Sequence, residues 1–396
     1  MRRTIYGFSV LALILAGAAL AQAPSGFGDP KAAPNGVERV NAPSAPTTPG
    51  EMSLTNQAWA MLGREDRIFE NRRPVCDIAA EDAVAIIARQ AASAQIVIIN
   101  EAHDAPMHRA FIGDVAEALQ PLGFRIYAGE ALSPWAGVGG ANGRAYPILA
   151  DGHYVQEPAF GMLMRRLRGA GYSFVAYEYM GQPSVQAADF VEALNTREAG
   201  QTANLVQRIF ARDADARVLI HVGHQHNLET TERVGAVASL RRREIVWMAR
   251  RLKDTLGIDP LTIDQTTFAA SQTGVCIGTG PGGGLPEGRD MYVAHTERFI
   301  TQHRAEWRRA RGEVFVTLPS GLAPADARAV YEARRAEEPD EAVPIDRVLV
   351  DPGEVVAMML PPGRYRVRAW SEERGWSRNV AVTAGETKRP TRRKKR

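Results

Sequence analysis

Four short apolar runs, each closing on ionisable or amide side chains, restrict the folds open to this chain more than any other feature. IVII (96–99) runs into Asn100, Glu101 and His103, and FRIYA (124–128) into Gly129 and Glu130. SFVAY (173–177) meets Glu178, and VLI (218–220) leads into His221, Val222, Gly223, His224, Gln225 and His226. A fifth run, LTI (261–263), precedes Asp264 and Gln265. Runs of this length and composition read as buried strands.

Stretches of helical period lie between them. EDAVAIIARQAA (81–92) is one, and HRAFIGDVAEALQPLG (108–123) puts Phe111, Val115, Ala118, Leu119 and Leu122 on one face before Gly123 stops it. FGMLMRRLRGAG (160–171) is a third. Residues 185–213 are helical with a break expected near Asn195-Thr196, and REIVWMARRLKDTLG (243–257) is a helix ending at Gly257. Alternation of this kind predicts an α/β fold with a mostly parallel central sheet flanked by helices. The carboxyl ends of such strands share one rim, where ligands bind. The polar residues that close the runs should therefore converge.

Residues 132–158 read as a long loop. The Gly-rich segment within 273–295 lacks the Gly-Lys-Ser/Thr ending of a P-loop and reads as a surface loop able to act as a lid. From about residue 313 the character changes: GEVFVTLPSG, PIDRVLVDPGE, VVAMMLPPG, RYRVRAWSEERG and WSRNVAVTAGE are short strand-like runs separated by turn signals. They predict a small all-β, sandwich-like domain over 313–387.

The N-terminus has a basic start at Arg2 and Arg3, an apolar stretch and small residues ending at Ala21, the pattern of a signal peptide over 1–21. Export to the periplasm or medium is the expected consequence. Residues 22–52, rich in Pro, Gly, Ala and Ser, read as a flexible leader, so that the α/β domain spans 53–312. Export permits a disulfide between Cys76 and Cys276, the chain's two cysteines; two buried thiols are the other reading.

Net charge is +3, but nine of the 48 Lys and Arg residues are Arg2, Arg3 and the seven cations of the tail within 388–396. The remaining 39 face 45 acidic residues, so the body is mildly acidic. A basic tail without interleaved aromatics offers a surface contact and does not make a nucleic-acid-binding protein.

Carboxylates and histidines sharing one cleft raise one another's proton affinity unless a cation compensates, and Arg197 is the candidate for that role. The candidate catalytic set is Glu101, His103, Glu130, Glu178, Arg197 and His224. Two chemistries fit it. A histidine oriented by a carboxylate could take a proton from water while Arg197 or a second histidine steadies an oxyanion. Alternatively Glu101, His103, His224 and His226 could hold a divalent metal that acidifies bound water. His221 reads as a core histidine and His108 as the start of a surface helix. His153, His295 and His303 have no repeated context, and Asp264 is the weakest of the strand-end acids. No Gly-x-Ser-x-Gly elbow is present and neither cysteine lies beside a histidine of this set, which disfavours a serine or cysteine nucleophile.

IVIINEAHDAPMHRAFIGDVAEALQPLGFRIYAGE (96–130), followed by TREAGQTANLVQRI and VLIHVGHQHN, resembles the erythromycin-esterase-like, ChaN-like and TIKI superfamily over about residues 93–265. The resemblance implies Glu101 and His103 as the first catalytic pair, Glu130 as the second-strand acid, Arg197 as the helix arginine, and His224 or His226 as the late histidine. Its branches imply different outcomes: metal-free ester hydrolysis, metal-dependent proteolysis, or haem binding. Asn100 stands where the family usually has Gly, and Gly-His-Gln-His matches neither the esterase nor the protease version. The expectation is an exported hydrolase acting on an ester, lactone or peptide bond. The alternative is a non-enzymatic haem- or metal-binding uptake protein using the same histidines.

Overall fold

The computed structural model describes residues 28–41, 45–69, 73–134, 140–181, 190–234, 243–279, 283–296 and 298–385. The expected signal peptide and basic tail lie outside them. Eight strands form the central sheet: β1 (Asp77–Ile78), β2 (Ile96–Glu101), β3 (Ile126–Gly129), β4 (Ser173–Ala176), β5 (Val218–Gly223), β8 (Leu261–Asp264), β9 (Gly274–Gly278) and β10 (Met291–Ala294). A separate antiparallel ribbon pairs β6 (Thr231–Val234) with β7 (Arg243–Val246). The sheet order is β1-β9-β10-β8-β2-β5-β3-β4. The six strands from β10 to β4 are parallel, and β9 and β1 add an antiparallel edge.

Every residue of β2 and β5 is buried, which is why both runs are apolar until their carboxyl ends. Helices α3 (Ala83–Ala91), α4 (Pro106–Leu119) and α5 (Pro158–Gly169) cover one face, packing Ile87, Phe111, Ile112 and Leu163 on Val97, Ile99 and Leu219. Helices α6 (Phe190–Leu205) and α7 (Met248–Leu256) cover the other, where Leu205, Met248 and Leu252 meet Ile96, Ile98 and Ile220. No helix of the described residues is long and apolar enough to cross a membrane.

Three local readings change. Helix α6 runs unbroken through Asn195, because that side chain bonds outward: its Oδ1 accepts from Val246 N at 2.9 Å and its Nδ2 donates to Glu244 O at 2.9 Å. Those same bonds hold β7, so Arg243–Val246 is strand and the helix starts only at Met248. The segment 273–295 is not simply a loop: β9 and β10 pair within it, and Cys276 forms a disulfide with Cys76 across a Cα–Cα distance of 5.6 Å.

The leader differs too. Within 28–52 the chain forms α1 (Val37–Val40) and enters α2 (Pro49–Met61), which starts on a capping box made by Thr48 and Glu51. Val37, Trp59 and Leu62 pack on Val330, Leu349 and Trp370, and this apolar contact is what orders the segment.

A hairpin of β11 (Ile300–Thr301) and β12 (Arg304–Ala305) leads to the antiparallel part. There β13 (Val314–Thr317) pairs with β16 (Ala357–Leu360), and β14 (Ala329–Arg335) lies between β15 (Asp346–Val350) and β17 (Gly363–Ser371). β17 also pairs with β18 (Gly375–Trp376) and β19 (Val380–Ala384). Val348, Met358, Leu360, Tyr365 and Val367 from both sheets share one core.

Candidate functional site

The parallel strands deliver their closing residues to one rim. Glu101 ends β2 and is 1 % exposed. Its carboxylate accepts two bonds from Arg109, from Nε at 2.7 Å and Nη2 at 2.8 Å, and a third from His103 Nδ1 at 2.9 Å. His221 Nε2 lies 3.1 Å from its other side. Burial alone would raise the carboxyl pKa, but Arg109 and His221 hold it well below the usual range. Glu101 is therefore an anion that orients His103 and has no basicity to spare. Arg109, fully buried, also donates to Glu157 at 2.9 Å, and Glu157 caps α5 through Ala159 N and Phe160 N.

With Nδ1 taken by Glu101, Nε2 is the His103 nitrogen left for another partner. Tyr154 stacks on the ring at 4.0 Å and 16°, and His224 approaches edge-on at 5.0 Å. Gly223 is required beside it: a Cβ there would stand 2.6 Å from His103 Cε1 and 2.8 Å from Nε2. The Gly223 N–H donates to Glu130 Oε2 at 2.5 Å.

Glu130 and Glu178, closing β3 and β4, share Arg197, which donates to each through Nη2 at 2.5 Å. Its Nε adds a 3.0 Å bond to Glu178, and Gln201 donates to both Glu178 oxygens. Burial opposes ionisation of Glu130, yet His226, Arg197 and His103 hold its pKa at about 2. Arg197 Nη1 reaches His226 Nε2 at 3.0 Å, and His226 Nδ1 lies 2.7 Å from Glu198. Glu198 and Glu130 raise the His226 pKa against the effect of burial. The compensating cation expected at Arg197 is thus bonded to two carboxylates and positions both.

His224 differs from its neighbours. Burial, then repulsion from His103, push its pKa down to about 3, so it is neutral near pH 7 and cannot stabilise charge as a cation. Its φ of 43° is strained for a residue with a Cβ, and its Nε2 has no hydrogen-bond partner among the described residues. Asn100 keeps it there: Nδ2 donates to His224 O at 2.6 Å and to Asp264 Oδ2 at 2.8 Å, while Oδ1 accepts from Gln265 N. That clamp needs a side-chain amide at position 100.

The structure brings Glu101, His103, Glu130, Glu178, Arg197, His224 and His226 together. Asp264 serves the Asn100 clamp and caps the Thr266 and Thr267 amides. His221 is a wall residue, stacked on Phe160 at 5.4 Å and bonded to Tyr127 OH at 2.5 Å. His108 is buried, not on a surface helix: its Nδ1 accepts from Ala102 N at 3.1 Å, fixing the turn that carries His103.

Sequence reasoning missed Arg109, Tyr154, Glu157 and Glu198. Two of them carried a signal, as polar residues inside apolar stripes. Arg109 stands three residues before Ile112 and seven before Ala116; Glu198 stands four after Leu194 and seven before Leu205.

The four residues expected to bind metal do not fit one. Both Glu101 oxygens are taken by Arg109, and His226 lies between Glu198 and the Arg197 cation. Among the described residues no group of three His, Cys, Asp or Glu side chains is arranged to hold a metal ion. A haem sandwiched between His103 and His224 has no room at a ring separation of 5.0 Å.

No family model and no curated protein matches the chain. Among solved structures, RRSP, a MARTX toxin effector domain from Vibrio vulnificus CMCP6, is 14 % identical with a TM-score of 0.35, over 47 % of this chain and 36 % of that one. The type III effector HopBA1 is 11 % identical with a TM-score of 0.35, over 58 % of this chain and all of that one. The C-terminal region of Pasteurella multocida toxin, described as having a thiol-protease-like catalytic triad, is 9 % identical with a TM-score of 0.34, over 84 % and 52 %. Likeness at this level says nothing about activity.

Proposed function

We propose that the chain is a hydrolase of the kind its erythromycin-esterase-like resemblance implies, acting on an ester, lactone or peptide bond at the strand-end rim. The observation that supports this most is the Glu101–His103 pair, locked by Arg109, with the His224 ring 5.0 Å from that of His103 and its Nε2 unpartnered among the described residues. His103 Nε2 takes a proton from water as the hydroxide attacks the carbonyl carbon, and returns it to the leaving alkoxide or amine. The imidazolium formed in between is stabilised by Glu101, as in other histidine–carboxylate pairs. Neutral His224 donates a hydrogen bond to the developing oxyanion. Neither cysteine takes part, since both are in the disulfide.

The metal-uptake alternative has the donor geometry of Glu101, His103, His224 and His226 against it. His103→Ala tests the proposal. Hydrolysis of the best ester, lactone or peptide in a panel should fall by about 10²–10⁴-fold with the circular dichroism spectrum and Tm kept. An unchanged rate would remove His103 from the mechanism.

A further inference from the structure

The β15-β14-β17 sheet turns one face away from its own core. At one end of that face Val330, Leu349 and Trp370 are covered by Val37, Trp59 and Leu62. Two residues along each strand the same face becomes ionic. Glu332 on β14 stands opposite Arg347 on β15 and Arg368 on β17, and Arg334 follows it on β14. All four are buried, with exposures of 1 % for Glu332, 2 % for Arg334, 1 % for Arg347 and 5 % for Arg368.

Three guanidinium groups therefore share one carboxylate. Arg347 takes Glu332 Oε1 at 2.7 Å, while Arg334 at 2.7 Å and Arg368 at 3.4 Å crowd onto Oε2. Among the described residues the other acid in reach is Asp340, half-exposed, 3.5 Å from Arg368 and already paired with Arg366 at 3.0 Å. The remaining donors go to backbone carbonyls. Arg368 Nη2 reaches Pro30 O, Arg347 Nη1 reaches Met61 O and Gln156 O, and Arg334 Nε reaches Ala342 O. Two buried donors are left over, Arg334 Nη2 and Arg368 Nε, with no acceptor among the described residues. Repulsion between Arg334 and Arg368 compounds the effect of burial on the latter. Trp376 lies over the Arg368 guanidinium at 3.7 Å and offsets part of its burial, yet two excess positive charges and two unpartnered donors still call for compensating negative charge.

We propose that this cluster is a binding site for a small inorganic anion, a halide or an oxyanion such as phosphate, held between Arg334 and Arg368. The bound anion would lock together four stretches that the arginines already touch: the chain at Pro30, the end of α2, the turn at Gln156 and the connection at Ala342.

The test uses the full chain. Its melting is followed in sodium bromide, sodium phosphate and sodium gluconate at matched ionic strength, gluconate being too bulky to be enclosed. Bromide or phosphate should raise Tm by about 3 °C and saturate in the millimolar range. Arg368→Gln should weaken the apparent affinity at least tenfold. Bromide acting alone identifies a halide site, and phosphate acting alone an oxyanion site. Crystals of the wild-type chain grown in bromide, which do not depend on the variant folding, should show an anomalous peak at Arg334 Nη2 and Arg368 Nε. A Tm rise that is linear, equal in gluconate and unchanged in the variant, with water at those two nitrogens in the crystal, overturns the proposal.

Discussion

Replacing His295 should flatten the acid limb of stability by a calculable amount. His295 is 1 % exposed at the end of β10, with its ring 5.1 Å from that of His108. Its Nε2 faces Gln265 Oε1 at 2.8 Å, and since Gln265 Nε2 donates to Asn100 O, that oxygen must accept. The ring is neutral with its proton on Nε2, and Nδ1 accepts from Thr273 at 3.2 Å. Burial and the nearby Arg73 and Arg311 push the pKa from 6.5 down to about 3. The sign follows from linkage: below pH 6.5 the unfolded chain takes up a proton that the folded chain refuses, so stability is full above pH 6.5 and lost as pH falls toward 3. Each pH unit costs about 1.4 kcal/mol, hence about 2 kcal/mol between pH 6.5 and 5.0. His295→Gln keeps the size and the hydrogen-bonding capacity and removes the titration. Urea unfolding at pH 7.5 and 5.0 should show the wild type losing about 2 kcal/mol more than the variant. Groups that do not sense His295 cancel in that difference; His108, whose pKa burial and His295 both lower, stays well below the usual histidine range. A difference below about 0.5 kcal/mol would refute the assignment of His295 as a buried neutral ring.

Other consequences are more local. Gly223→Ala puts a methyl group against His103 and should shift the ring by about 1 Å, lowering hydrolysis about 10²-fold while overpacking costs about 1–3 kcal/mol, as read by parallel kinetics and urea unfolding. Arg109→Met leaves Glu101 and Glu157 buried without their cation and should cost about 3–5 kcal/mol in urea unfolding, partly recovered by adding Glu101→Gln. Reducing the Cys76–Cys276 bridge should destabilise the chain by about 2–5 kcal/mol, measured by melting with and without dithiothreitol.

The central strands were legible because a strand buried on both faces must be apolar along its length, so the residue that ends the run also marks the rim. Glu101, Glu130, Glu178 and His224 were found in that way. What escaped detection depends on contacts distant in sequence. Val37, Trp59 and Leu62 look unremarkable in a Pro-rich stretch until Val330 and Trp370 arrive from the other end of the chain. β9 and β10 flank a glycine-rich stretch whose composition dominates any local window. Tyr154 sits in an irregular segment without periodicity, and only the fold puts its ring over His103.

Helix α6 carries Arg197, Glu198 and Gln201 on a single rigid ruler, and adjacent residues on a helix point about 100° apart. Arg197 and Glu198 thereby reach opposite sides of His226. This stretch should accept substitutions far more readily than insertions or deletions, because adding or removing one residue ahead of Arg197 would swing the whole set off its partners at once. Beyond it the helix widens into a π turn at Val206–Phe210, a form that takes an extra residue into one turn. Length variation among descendants of this sequence should collect there, downstream of the three side chains, where a change of one residue leaves their directions untouched.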